Sequence, residues 1–321
     1  MVPAVFIFGD SLADVGNNNH IKLCLVKADF PHNGVDFPEG KATGRFSNGK
    51  NAADFLAEKL GLPTSPPYLS LASVSNKTNA FLGGVSFASG GAGILDTTDK
   101  RLGSIPLNQQ IDYHSTVYGR LVQQLGSVGV QNHLSKSIFA IVIGSNDILG
   151  YFKSGSNLSQ QYTPQQFIDL LTLTLMVIGA GAIGCCPSQR NQNKTGGCHE
   201  ETNYWSLQYN EGVKSFLKGM KSELKEVNYA FFDTYTVLLN FIQEPARYGF
   251  NEVKAACCGL GNLNARVPCL PIAKYCQNRN DHIFWDLYHP TEAAARIFAD
   301  TIFDGSQQYM YPINVRQLVA I

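Results

Sequence analysis

Two short stretches at opposite ends of the chain carry the residue types of nucleophilic acyl chemistry. Near the start, the apolar run Val2 to Phe8 empties into Gly9-Asp10-Ser11. A serine hydroxyl is a poor nucleophile at neutral pH and needs a base within hydrogen-bond reach, itself oriented by a third group. Among seven histidines, His289 stands out because Asp286 lies three residues before it in Phe284-Trp285-Asp286-Leu287-Tyr288-His289-Pro290. A carboxylate at that spacing folds back within one turn onto the imidazole Nδ1–H, leaving Nε2 free to take the Ser11 proton. Pro290 then suits the opening position of a final helix. Charge developing on a tetrahedral oxygen needs fixed donors. The Ser11 backbone N–H, the N–H of Gly90 in Ser89-Gly90-Gly91-Ala92-Gly93 and the side-chain amide of Asn146 are the candidates, with Gly91 competing for the glycine's role. Each feature also has an ordinary reading: a glycine turn, a helix cap at Asn146-Asp147, a helix-start Asp286 beside a surface His289.

These residues must be positioned by the elements before them. Short apolar runs recur at Val85 to Ala88, Phe139 to Ile143, Met176 to Ala180 and Tyr229 to Phe232. Helical patterns lie between them, at Ala52 to Leu60, Leu107 to Leu125 and Tyr204 to Leu224, with a last one at Glu292 to Phe303. Alternation of this kind predicts an α/β fold, a three-layer α/β/α sandwich around a mostly parallel sheet of about five strands. Ligands of such sheets bind at the carboxyl ends of the strands. Ser11, Ser89-Gly90-Gly91 and Gly144-Ser145-Asn146-Asp147 each follow a strand and are expected at one edge. No repeat or low-complexity linker divides the chain, so residues 1–321 are expected to form one domain.

The 321 residues balance twenty-five Lys and Arg against twenty-five Asp and Glu. No run of like charge offers a footprint for nucleic acid. No apolar run approaches the ~20 residues of a membrane span, so stable membrane insertion is not expected. A neutral small molecule is the expected partner. Seven of eight cysteines crowd into Cys185 to Cys276, and sequons stand at Asn76, Asn157 and Asn193. Together they favour an oxidising, secretory compartment and a glycoprotein. Met1 leads almost directly into the first strand, so a signal peptide is not expected within these residues.

The motifs together resemble one family. Phe8-Gly9-Asp10-Ser11-Leu12-Ala13-Asp14-Val15-Gly16-Asn17-Asn18-Asn19 is similar to the first block of plant GDSL esterase/lipases of the SGNH hydrolase superfamily, and Thr43 to Lys50 to the stretch that follows it. Phe87 to Gly93 resembles the second block, Gly144 to Asp147 the third, and Trp285-Asp286 with His289-Pro290-Thr291-Glu292 the fifth. The resemblance covers essentially the whole chain. It implies hydrolysis of acyl esters by nucleophile Ser11, base His289 and orienting Asp286, with Ser11, Gly90 and Asn146 as oxyanion donors and no cofactor. The serine is then expected in a flexible turn and not in the strained elbow of G-x-S-x-G enzymes. Acyl transfer through the same site, or an inert binding protein keeping the fold, are the competing functions.

Cys185 and Cys198 flank a loop resembling one that the family closes with a disulfide, and Cys257, Cys258, Cys269 and Cys276 resemble a second disulfide cluster. Closing loops of this size contributes about 3 kcal/mol and would steady the Asp286 loop. A zinc site using this cluster and His282 fits poorly, because adjacent Cys257-Cys258 and irregular gaps do not give tetrahedral ligand pairs. Cys24 has no evident partner. One departure from the family is expected between the third and fourth strands: Thr163 to Leu175 runs straight into Met176 with no loop, as though roughly twenty residues of an ordinary crossover were missing. A shortened or irregular crossover, with low stability over Gln165 to Ala182, is the expectation.

Overall fold

The computed structural model describes residues 2–72, 79–153, 155–174 and 179–321. Val5–Gly9 is apolar at both alternating faces and forms strand β1, every residue of it buried. Strand β2 (Ile138–Val142) pairs with it in parallel, Val5 opposite Ile138 through Gly9 opposite Val142. Along the other edge of β1, Ile7 donates to Val85 O at 3.0 Å, Phe87 to Ile7 O at 2.7 Å and Ser89 to Gly9 O at 3.0 Å. β1 is thus flanked by two parallel segments, and the chain leaving each one arrives at the same end.

Helices cover both faces of β1. Val5 and Ile7 pack on Ala53 of helix α1 (Ala52–Lys59). Phe6 and Phe8, pointing the other way, join Val117 and Leu121 of α2 (Leu107–Ser135). Their cluster also holds Ile148 of α3 (Ser145–Phe152), Phe167 of α4 (Pro164–Thr174) and Tyr209 of α5 (Glu200–Glu223). The two-residue alternation of the strand is what sorts these side chains between layers.

The fold is mixed α/β, but a five-stranded parallel sheet is not formed among the described residues. The fifth expected strand shrinks to β3 (Phe231–Phe232), paired antiparallel with β6 (Met310–Tyr311). A further parallel pair joins β4 (Glu252–Ala256) to β5 (His282–Phe284). Of the fourth expected strand, residues 176–178 lie outside the described residues, and Gly179 donates to Phe232 O at 3.3 Å. β2 has only β1 as strand partner among the described residues, and the open edge leaves Phe139 42% exposed.

The final helix α6 (Glu292–Asp304) does not open on Pro290. Thr291 caps it, its side chain accepting from Ala294 N–H, while Pro290 bridges back to Phe284. A hydroxyl acceptor satisfies an orphan N–H of the first turn, which proline cannot do. The expected α2 continues to Ser135 through a break at Gly126, whose φ is 71°. Among the described residues, no helix is long and apolar enough to cross a membrane.

Candidate active site

Ser11 stands two residues beyond the end of β1, in a tight turn. Asp10 O accepts the N–H of Ala13 at 3.2 Å and of Asp14 at 3.0 Å, and Asp10 Oδ1 accepts Leu12 N–H at 3.0 Å. Gly9, at φ 145°, is the hinge: a Cβ there would lie 2.2 Å from Val142 O. The fully buried Gln110 side chain clamps this peptide, accepting Gly9 N–H at 2.8 Å and donating to Gly9 O at 2.9 Å. Nothing in the sequence singles out Gln110, a polar residue near a helix start.

The loop after β5 folds back so that Trp285 N–H donates to His289 O at 2.8 Å. That closure places Asp286 against the imidazole. His289 Nδ1 lies 2.7 and 2.8 Å from the two Asp286 carboxylate oxygens, and His289 Nε2 lies 2.7 Å from Ser11 Oγ. Backbone N–H groups of Tyr288 and His289 also donate to Asp286 Oδ1, each at 2.9 Å. Burial pushes the Asp286 carboxyl up, yet the imidazole and these donors hold it below the usual carboxylate range. It therefore stays ionised and fixes the Nδ1–H tautomer. The Phe46 ring lies 5.0 Å from the imidazole ring. Buried Arg45, beside it, forks onto Asp54 of α1 at 2.7 Å through both Nε and Nη2.

Of the expected oxyanion donors, Gly90 has its N–H engaged within the protein. Its N–H donates to the buried Asp14 Oδ2 at 2.9 Å, and its carbonyl accepts from Asn18 Nδ2 at 2.8 Å. Asp14 also accepts the N–H groups of Gly16 and Asn17, while burial pushes its pKa up to about 6. A donor already aimed at a buried carboxylate is not available to a substrate. The next residue, Gly91, faces the cavity instead, with φ 80° and no hydrogen-bond partner for its N–H among the described residues. The Ser11 N–H is likewise unpartnered there. Asn146 donates one amide hydrogen to Ala92 O at 2.8 Å, which leaves its second for another acceptor. Asn146 is held by Asp147, whose carboxylate accepts from Ile94, Leu95 and Thr98 of the facing loop.

Asp10 is the residue the sequence did not flag. Its Oδ2 is buried with no partner among the described residues, and it lines the cavity beside Ser11. Burial pushes its pKa to about 7.

The cysteines pair as Cys185–Cys198, Cys257–Cys276 and Cys258–Cys269. The last two sit beside the Asp286 loop, since Cys257 donates to Phe284 O at 2.9 Å and Cys258 to Trp285 O at 2.7 Å. Cys24 and Cys186 are buried and free. The sequon Asn76 lies outside the described residues; Asn157 is exposed, and the Asn193 side chain is engaged with Thr195 and Cys198 O.

Ser11, Asn146, His289 and Gly91 open onto one cavity of about 470 Å³, mostly apolar in lining. A base-paired hydroxyl beside unpartnered N–H donors can attack a carbonyl and hold the resulting oxyanion.

A family model described as GDSL-like Lipase/Acylhydrolase matches residues 5–302. Three similar relatives come from Arabidopsis thaliana. GDSL esterase/lipase At5g55050 is 46% identical, covering 99% of this chain and 90% of that protein. GDSL esterase/lipase At5g37690 is 39% identical over 94% of this chain and 88% of its own, and GDSL esterase/lipase 7 is 36% identical over 100% and 93%. The first alignment runs over 341 positions, more than the 321 residues here, so that relative carries residues without a counterpart in this chain.

Proposed function

The chain belongs to the GDSL-like lipase/acylhydrolase family, and from that premise we propose that it hydrolyses carboxylic esters through an acyl-enzyme on Ser11. The observation that carries this reading is the 2.7 Å approach of His289 Nε2 to Ser11 Oγ, with both Asp286 oxygens on the opposite ring nitrogen.

Ser11 Oγ attacks the ester carbonyl as His289 Nε2 takes its proton, and Asp286 stabilises the imidazolium without itself being protonated. The carbonyl oxygen, now charged, is met by the N–H groups of Ser11 and Gly91 and by the free amide hydrogen of Asn146. The imidazolium returns the proton to the leaving alcohol, and water then repeats the sequence on the acyl-enzyme.

The β1, β2 and 83–89 segments belong, on this reading, to one mostly parallel sheet in a three-layer sandwich, and residues 1–321 act as one domain. Three disulfides suit an oxidising compartment, which supports secretion, and the exposed Asn157 offers a sequon for a glycan. Labelling with an alkyl fluorophosphonate tests the reading. Modification of Ser11, abolished in His289→Ala, is the expected result; labelling of a different serine, or labelling indifferent to His289, refutes it.

A further inference from the structure

We propose that Phe46 is a positioning residue for the base: it presents a ring face to His289 and favours the imidazolium over the neutral imidazole. This rests on the reading of Ser11 and His289 as nucleophile and base.

The turn that carries Phe46 is fixed from both sides. Ser47 N–H donates to Arg45 O at 2.9 Å, a three-residue turn that leaves Phe46 at its apex. On one side, buried Arg45 is anchored to Asp54 of α1, and its Nη1 also donates to Thr43 Oγ1 at 2.9 Å. On the other side, Asn48 Oδ1 accepts the Glu292 N–H at 2.8 Å, and Glu292 opens α6 three positions after His289. The ring and the imidazole are therefore tied to the same helix end. Gly90 leaves room for the ring, since a Cβ there would lie 2.5 Å from Phe46 Cε2 and Cζ.

The Phe46 and His289 ring centroids are 5.0 Å apart, with their planes 33° from parallel. Rings so close to parallel cannot lie side by side at that distance, because their facing edge atoms would approach to about 2.5 Å, far inside van der Waals contact. One ring therefore overlaps the face of the other. The face of a benzene ring is the negative part of its quadrupole and attracts a cation within about 6 Å of the centroid. Tyr288 also neighbours the imidazole, but its ring is 6.2 Å away and turned by 80°. Phe46 is the better placed of the two.

The attraction distinguishes two states of one side chain. Before attack His289 is neutral, and Phe46 offers it packing alone. Once Nε2 has taken the Ser11 proton, the imidazolium has the Asp286 carboxylate at Nδ1 and the Phe46 ring beside it. Asp10, at the end of β1, is the other carboxyl close enough to act on His289, and the Arg45 cation next to Phe46 is neutralised by Asp54. An interaction made only with the charged imidazole lowers the barrier without tightening the hold on substrate. Attack by water on the acyl-enzyme passes through the same imidazolium, so the effect enters kcat whichever step is slow.

The test replaces Phe46 site-specifically with mono-, di- and trifluorophenylalanine, which keep the shape of the ring and progressively drain negative charge from its face. With p-nitrophenyl butyrate as substrate, log kcat should fall with each added fluorine, to about tenfold below the unaltered protein, while KM stays within about twofold. Phe46→Leu should lose about as much kcat as the trifluoro variant. A flat kcat across the fluorinated series overturns the proposal, because shape alone would then account for the ring. A loss confined to KM overturns it as well and makes Phe46 a wall of the substrate site. An alkyl fluorophosphonate separates this inference from the reading beneath it. Labelling of Ser11 in a protein whose kcat ignores fluorination removes only the role of Phe46, whereas an unlabelled Ser11 removes both.

Discussion

The carboxylate of Asp14 accepts the Gly90 N–H at 2.9 Å, so the serine turn and the glycine loop are joined by a buried charge-assisted hydrogen bond. The bond holds the loop, whose next residue, Gly91, lines the cavity. Gly91→Ala, strained at φ 80°, should lower kcat about 10²-fold with the protein still folded. Gly90→Ala should act on stability first, because its Cβ would lie 2.5 Å from the Phe46 ring. Urea unfolding beside steady-state kinetics separates the two, and a folded Gly90→Ala with the greater kcat loss would return the donor role to Gly90.

Ser11→Ala and His289→Ala should each lower kcat about 10³-fold or more, and the double variant little further, since residues acting as a unit are not additive. Losses that multiply in the double variant would mean that the two act separately.

Asp10 offers a stability test. Its pKa of about 7 in the fold, against 3.8 in the unfolded chain, means that the folded state alone keeps the proton between those values. The associated stability is complete below the lower value and is lost as pH rises through the higher one. Asp10→Asn should therefore unfold at a higher urea concentration than the unaltered protein at pH 8, by on the order of a few kcal/mol, and differ little at pH 4. Parallel pH curves for the two proteins would show that Asp10 is ionised throughout.

Cys258 and Cys269 close eleven residues of separation next to the Asp286 loop. Replacing both with serine should cost about 3 kcal/mol on thermal unfolding and lower kcat more than KM changes, because the loop orienting the base loosens. Full activity of the variant below its Tm would confine the disulfide to a stabilising role.

Hydrogen exchange should rank the central strands. β1 is buried throughout, while β2 is half-buried with an open edge among the described residues. Amides of Phe6 to Phe8 should exchange only by global unfolding, and those of Phe139 to Ile141 sooner. Equal protection would mean that the open edge is covered in solution.

The sequence revealed the parts of the site that depend on local spacing. Asp286 and His289 are three residues apart on one loop, and Ser11 follows a recognisable strand. The engagement of the Gly90 N–H was not legible, because Asp14 meets it from across the site. Gln110 and Asp10 escaped for the same reason: their roles lie in tertiary contacts and burial. The sheet was only partly legible. β4, Glu252 to Ala256, is five residues long with two of them charged, and its parallel partner β5 has three residues. The expected opening of the last helix at Pro290 failed because Thr291 offers a capping acceptor one position later.

Ser11 and His289 are separated by 278 residues of sequence. With Ser11 as the proposed nucleophile and His289 as its base, the serine leaves the ribosome long before the histidine does, and every intermediate chain carries a hydroxyl with no reactivity beyond that of an alcohol. Chemical competence thus arrives late and all at once, when the C-terminal loop docks on the first strand. The growing polypeptide needs no separate inhibitor to keep it from acting on esters within the cell that makes it.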